Sequence, residues 1–187
     1  PAPPELTQPV PATVSLLRDH VQPPVLANGV ELAPEENADP ALFRRTYQTR
    51  SAVLVAPFER LLGHAAGDSA WPDDVRREYL EVPPDRRYGR LAAEILGTLR
   101  PELRRDPWAR ALAVGIWLQR NTKYSLRSHH ASADDPTADY LFGDRIGYCV
   151  HLSHAAAFLA RSLGVPARVA AGYAYEAKDR SGGSALL

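Results

Sequence analysis

The chain has 187 residues, 45% of them hydrophobic, and its 22 basic and 22 acidic side chains give zero formal net charge. That length suits one domain, or one domain with a flanking piece, and the apolar fraction suits a sizeable core. Zero net charge removes the electrostatic case for a nucleic-acid partner or an anionic membrane surface, and no apolar run reaches the length of a membrane-spanning helix. The chain opens on proline and contains no methionine, so it reads as a piece excised from a longer protein. With one cysteine it can form neither an intramolecular disulfide nor a cysteine-built metal cage.

Residues 1–40 carry nine prolines, from Pro1 to Pro40. Proline fixes φ and removes a backbone donor, so this stretch is expected to be an extended arm or linker with little regular structure. At most, Val14–Arg18 forms a short strand or helical turn. Residues 41–84 form a short β-containing flanking segment. Within it, Leu42 to Phe58 alternates in part, through Thr46, Tyr47, Thr49, Val53, Leu54 and Val55, and predicts one or two strands. Gly63 to Pro72 is loop, and Leu80-Glu81-Val82-Pro83-Pro84 is extended, because each proline restricts its predecessor.

From residue 85 onward the signals become helical. Asp85 caps a helix that presents Leu91, Ile95, Leu96 and Leu99 on one face and is bounded by Pro101. Asp106-Pro107 is a cap followed by proline at the first helical position. Trp108, Leu112 and Ile116 form the stripe of that second helix, which ends near Asn121 before a short strand over Lys123–Leu126. Asp135-Pro136 repeats the signal for a brief helix through Tyr140, Leu141 and Phe142, closed by Gly143. Ala167 to Tyr175 reads as a strand, Glu176 to Gly183 as a polar turn, and Ser184–Leu187 as the start of another strand.

The single cysteine, Cys149, sits between a loop, Asp144-Arg145-Ile146-Gly147, and an apolar run, Leu152, Ala155, Ala156, Leu159, Ala160 and Leu163, spaced for one helix face. Leu152, Ala156, Leu159 and Leu163 are expected to be among the least exposed residues. Gly164 suits a left-handed C′ position and Pro166 stops the helix. Cys149 therefore falls in the first turn. There, unpaired backbone N–H groups and the positive dipole end favour thiolate over thiol and can serve a developing oxyanion.

The run Tyr140-Leu141-Phe142, then Gly147-Tyr148-Cys149-Val150-His151, then Arg161-Ser162-Leu163-Gly164-Val165-Pro166-Ala167-Arg168-Val169 and Gly172-Tyr173 resembles the bacterial transglutaminase-like family, of papain-like fold. The likeness is tight over about 50 residues because it fixes residue types and spacings across loop, helix and strand together. It implies an α+β fold with the nucleophile at the N-terminus of a central helix packed on an antiparallel sheet that begins at Val165–Tyr175. Residues 85–187 would be the N-terminal part of that core. It also implies thiol-dependent acyl transfer, or amide and peptide hydrolysis, on a protein or peptide amide. Cys149 would be the nucleophile, and no metal or organic cofactor would be needed. The family's base is a histidine on a later strand, oriented by an aspartate or asparagine. Neither position falls within these 187 residues, so the remainder of the parent chain would supply both, or a separate cleavage product would supply the base in trans. Val150 also stands where the family usually has an acidic residue. The resemblance makes an extracytoplasmic location the expectation.

Other candidates are weaker. Tyr124, Tyr148 and Tyr173 are read as possible substrate-cleft aromatics, with core packing as the alternative for each. His151 and His154, two and five residues after Cys149, lie about 200° and about 140° around a helix from it. His151 is therefore read as a locally hydrogen-bonded flank residue, and His154 as packing or surface. His129-His130 lie beside Asp134-Asp135, but adjacent side chains diverge and no third ligand is spaced for a metal, so a solvated loop is expected. Arg168 is expected to pair with Asp139 or Asp144, and Arg161 to be structural. A binding or scaffolding module without catalysis remains the alternative function, because fold does not dictate function.

Overall fold

The structure, a computed structural model, describes residues 4–25, 28–172, 180–181 and 184–185. They fall into two compact units, one built from residues up to Leu6 together with 56–169, the other from 7–55 together with the described residues after 169.

The second unit corrects the expectation of an unstructured proline-rich arm. Strands β1 (Thr7–Leu16), β2 (Gly29–Pro34) and β3 (Arg45–Leu54) form an antiparallel sheet in the order β1-β3-β2. β1 pairs with β3 without interruption from Thr7↔Leu54 to Leu16↔Arg45. The prolines are tolerated because β1 is an edge strand. Backbone N–H groups alternate in direction, so Pro9 and Pro11, two apart, withhold their donors from the same side, and an edge strand has one side that needs none. Val10, Ala12, Val14 and Leu16 turn to the less exposed face while Pro9, Pro11, Thr13 and Ser15 face solvent, the period-2 pattern of a half-buried strand. β3 realises the strand expected between Leu42 and Phe58. Tyr47 on it is buried and its hydroxyl donates to the Pro24 carbonyl at 2.6 Å. A two-residue hairpin, β6 (Arg180–Ser181) with β7 (Ser184–Ala185), completes the described strands of this unit.

The first unit carries five α-helices among its described residues: α1 (Asp73–Glu78), α2 (Arg86–Gly97), α3 (Pro107–Asn121), α4 (Pro136–Phe142) and α5 (Cys149–Ser162). Two short strands, β4 (Lys123–Tyr124) and β5 (Ile146–Gly147), pair in parallel. Three aspartates start three helices as the sequence indicates. Asp85 accepts the Arg87 N–H at 2.8 Å, Asp106 that of Ala109 at 2.8 Å, and Asp135 that of Ala138 at 2.9 Å, each satisfying a donor that has no partner inside its helix. α5 ends in a Schellman motif. The Gly164 N–H reaches the Arg161 carbonyl at 2.8 Å, and the Val165 N–H reaches that of Ala160 at 2.9 Å. Gly164 sits at φ +75°, where a Cβ would be strained.

α5 is the centre of the core and packs on α2, α3 and α4. Ile95, Tyr140, Leu141, Ala155 and Leu159 are all at most 1% exposed. Tyr88 is buried edge-on to Phe142 and Phe158 at 5.2 and 5.5 Å, and its hydroxyl donates to Asp135 at 3.3 Å. Burial, then the Asp135 charge, push the Tyr88 phenol well above its ordinary range.

Two expected helix faces are rotated. On α5 the buried line runs His151, Ala155, Leu159, Leu163, while Leu152 and Ala156 are only half-buried. On α3 Leu112 and Ile116 are 43% and 38% exposed, and Ala109, Ala113, Val114 and Leu118 pack inward. α3 is apolar nearly all round, so periodicity alone does not choose its inner face. The small side chains let α5 approach closely and win the contact. The strand expected over 167–175 is also absent from its described part. Residues 165–172 have no ladder partner, and are tied instead by the Ala167 N–H to the Tyr79 carbonyl at 3.0 Å and by Arg161 Nε to the Ala167 carbonyl at 2.8 Å. Residues 173–175 lie outside the described residues.

Leu159→Ala should therefore cost about 2–5 kcal/mol in urea unfolding, while Leu112→Ala, from the expected stripe, should cost less than about 1 kcal/mol. Equal costs would contradict the helix orientations described here.

Candidate active site

The site is assembled where β5 runs into α5. Lys123 pairs with Ile146 and Tyr124 with Gly147, and the Ser125 N–H donates to the Gly147 carbonyl at 2.6 Å. This short parallel ladder fixes the segment entering α5. Gly147 is required there by space. A Cβ on it would lie 2.9 Å from Tyr140 Cε2 and 3.0 Å from His151 Cβ, closer than side-chain carbons pack. Before it, Arg145 takes the left-handed conformation at φ 59°, which costs a non-glycine residue about 1–2 kcal/mol. It is held by its N–H to the Tyr140 carbonyl at 3.1 Å, its Nε to the Leu141 carbonyl at 3.1 Å, and its guanidinium 5.1 Å from the Trp117 ring centre.

Cys149 is the first residue of α5, and its side chain is exposed. The first i→i−4 bond of the helix runs from the Leu152 N–H to the Tyr148 carbonyl at 3.1 Å. The N–H groups of Cys149 and Val150 precede it and have no acceptor within the helix. An exposed thiol beside backbone donors of this kind is the arrangement an acyl-transfer nucleophile uses.

His151 is buried, and its Nδ1 accepts the Tyr148 N–H at 3.3 Å. An accepting Nδ1 carries no proton, so the ring is neutral. Burial, then the charges of His130 and His154, push its pKa below the ordinary imidazole value. His151 is thus a locally hydrogen-bonded ring, as expected, and the structure shows that its bond caps α5. Tyr148 lies half-buried and edge-on to it, ring centres 4.6 Å apart. Tyr124 is 62% exposed, in register with Gly147 and so two residues from the thiol. Tyr173 lies outside the described residues. His154 Nδ1 contacts the Val150 carbonyl at 2.8 Å.

His130 is the residue the sequence reading missed. Expected in a solvated loop, it is 1% exposed. Its Nδ1 lies 2.7 Å from Asp139 Oδ2, and its Nε2 lies 3.0 Å from the Ile146 carbonyl and 3.2 Å from Asp144 Oδ1. Every neighbour is an acceptor, so both ring nitrogens are drawn to donate. Burial opposes the charged ring, but the Asp139 and Ile146 hydrogen bonds and the two carboxylate charges outweigh it and raise the His130 pKa. Asp144 is held below the usual carboxylate range, first by accepting the Ile146 N–H and then by the histidine charges. Asp139 and Asp144, expected as partners of Arg168, are thus engaged by His130, and Arg168 is exposed. His130, Asp139 and Asp144 are separated by nine and five residues, a spacing no helix or strand period reveals. Arg161 is structural, bonding the Ala167 and Glu81 carbonyls. An open groove of about 520 Å³ lies alongside α4, lined by Pro83, Pro84, Asp135 and Phe142 among others, and Cys149 is not part of its wall.

The model of the transglutaminase-like superfamily matches residues 90–185, half of the chain, and spans every element of this site. The chain belongs to that superfamily. Its fold is accordingly the α+β transglutaminase-like one, in a family of thiol-dependent acyltransferases. It is similar to a Pseudomonas aeruginosa protein named protein-glutamine gamma-glutamyltransferase, with 34% identity over 114 residues, 56% of this chain and 17% of that protein. The chain therefore corresponds to a small part of that relative's length. Among solved structures it is similar to the periplasmic domain of TgpA from Pseudomonas aeruginosa. The match is 26% identical, covers 67% of this chain and 41% of that one, and has a TM-score of 0.44; the ethylmercury-bound form gives 25%, 67%, 42% and 0.42.

Within this transglutaminase-like site the close approach at residue 147 leaves no room for a side chain. Gly147→Ala should destabilise the chain by about 1–3 kcal/mol, the usual cost of overpacking. Urea unfolding compared with Gly97→Ala, whose added Cβ meets nothing within 4 Å, checks this. Equal effects of the two changes would show that residue 147 has room.

Proposed function

We propose that Cys149 is the nucleophile of thiol-dependent acyl transfer from a carboxamide of a protein or peptide. The supporting observation is its exposed side chain at the first position of α5, beside N–H groups that no helix carbonyl uses. Sγ bonds to the carboxamide carbon, the oxygen becomes an oxyanion facing those donors, and the C–N bond breaks. The thiol proton passes to a base and then to the departing amine or ammonia. An amine or water then attacks the thioester, giving a new amide or a free acid and restoring the thiol. None of these steps requires a metal or organic cofactor.

The base is proposed to be a histidine outside these 187 residues, oriented by an acidic or amide side chain. Support comes from the histidines described around the site: His151 accepts from backbone, His130 is enclosed by acceptors, and His154 binds a helix carbonyl. Tyr124, paired with Gly147, and Tyr148, which immediately precedes Cys149, are proposed to flank the acyl group. An extracytoplasmic location is carried with this reading on the motif resemblance.

Incorporation of a fluorescent primary amine into a glutamine-containing peptide tests the proposal. A longer form of the protein should turn over, and Cys149→Ala should abolish it. The 187-residue chain should be slower by about 10²–10⁴, the usual contribution of a general base, while iodoacetamide still labels its thiol. Robust turnover by this chain that is lost on His151→Ala would overturn the assignment of the base. Failure of the longer form with every amide donor would favour the non-catalytic binding module.

A further inference from the structure

We propose that His129, His130 and Asp144 form a binding site for a divalent transition metal, with zinc the ion their chemistry suits best. One ligand atom from each can be chosen so that all lie within 4.8 Å of one another. His130 Nε2 is 3.2 Å from Asp144 Oδ1, and His129 Nε2 is 3.7 Å from Asp144 Oδ2. Ligands about 2.0–2.2 Å from a tetrahedral zinc stand about 3.3–3.6 Å apart, close to the two pairs with Asp144, and the exposed His129 ring has only to shift to bring the set to that spacing; two imidazoles with one carboxylate are a common zinc set that leaves a fourth position for water.

Consecutive side chains ordinarily diverge, and here they do not. His129 adopts φ −123°, ψ 8° just before a single 3-10 turn, His130–Ser132. That geometry brings the two ring centres to 4.6 Å. Asp144 is delivered from the other side by the left-handed Arg145, and its Oδ1 also accepts the Ile146 N–H at 2.9 Å. The backbone on both sides is thus committed to placing three donor atoms together.

The surroundings complete the case. Asp139 Oδ2 lies 2.7 Å from His130 Nδ1, the carboxylate–histidine arrangement that fixes the tautomer of a metal-binding imidazole and directs its Nε2 lone pair outward. The position facing Nε2 is bordered by a carboxylate and the Ile146 carbonyl, so it favours positive charge, which a metal supplies in place of the Nε2 proton. His130 is buried while His129 and Asp144 are 75% and 36% exposed at their side chains, which gives an ion a route from solvent to a ligand held rigidly inside. Asp144 and Ile146 lie on the segment that enters α5, so a bound ion would pin the turn that carries Cys149.

The test uses Co²⁺ as a spectroscopic stand-in for zinc, titrated into the chelator-treated 187-residue chain carrying Cys149→Ala, so that the thiol cannot bind the ion. One equivalent should bind with the visible absorption of a four-coordinate site, and zinc should displace it. His129→Ala, at an exposed position that should leave the fold intact by circular dichroism, should weaken binding at least tenfold. Asp139→Asn should weaken it by about 10–100-fold, as loss of a supporting carboxylate does. Uptake unchanged in both variants, or no four-coordinate absorption at saturating Co²⁺, would overturn the site.

Discussion

The contact on which the site depends is the passage of backbone at Gly147 beneath Tyr140 and His151. No Cβ fits there, so the chain can run straight from β5 into α5 with the helix start pressed against the core. His151 then caps the helix it belongs to, and Cys149 emerges on the opposite, solvent side of the same turn. If residue 147 were displaced, the pairing with Tyr124, the burial of His151 and the exposure of the thiol would change together. One steric constraint therefore sets three features that a thiol nucleophile needs: a fixed helix start, unpaired N–H donors, and access from solvent.

Much of this was legible in the sequence, because the signals involved are local. The Asp–Pro pairs at 106–107 and 135–136, Asp85, and the Gly164–Pro166 stop each act through the backbone within four residues. They placed α2, α3, α4 and α5 with their caps as observed. The position of Cys149 at a helix start follows from the same rules, and the local, structural hydrogen bonding of His151 from its angle to that cysteine.

What was not legible depends on which side of an element meets a partner. Pro9 and Pro11 argue against a strand unless β1 lies at an edge, and edge position is a property of the sheet. The alternation Val10, Ala12, Val14, Leu16 is a strand pattern, but prolines between its members contradict a strand everywhere except at a sheet edge. On α3 and α5 the inner face was misjudged by about one residue because both helices carry alanine on several sides, and small residues are buried by close approach rather than by hydrophobic area. His130 is the clearest case. Its burial rests on Asp139 and Asp144, contributed by α4 and the loop after it, and nothing in the local sequence distinguishes it from exposed His129.

His130 also changes how the other histidines are understood. Two carboxylates and a carbonyl around His130 favour its charged form, and its ring centre lies 5.3 Å from that of His151. A positive neighbour disfavours protonation of His151, which keeps Nδ1 an acceptor and so keeps the cap on α5 intact. The two environments pull in opposite directions: the acidic one raises the His130 pKa, and burial at the helix start lowers that of His151. Neither is then free to take the thiol proton. Both rings are committed to contacts that hold the start of α5 in place, which is why the proposed nucleophile is assigned a base from a separate element.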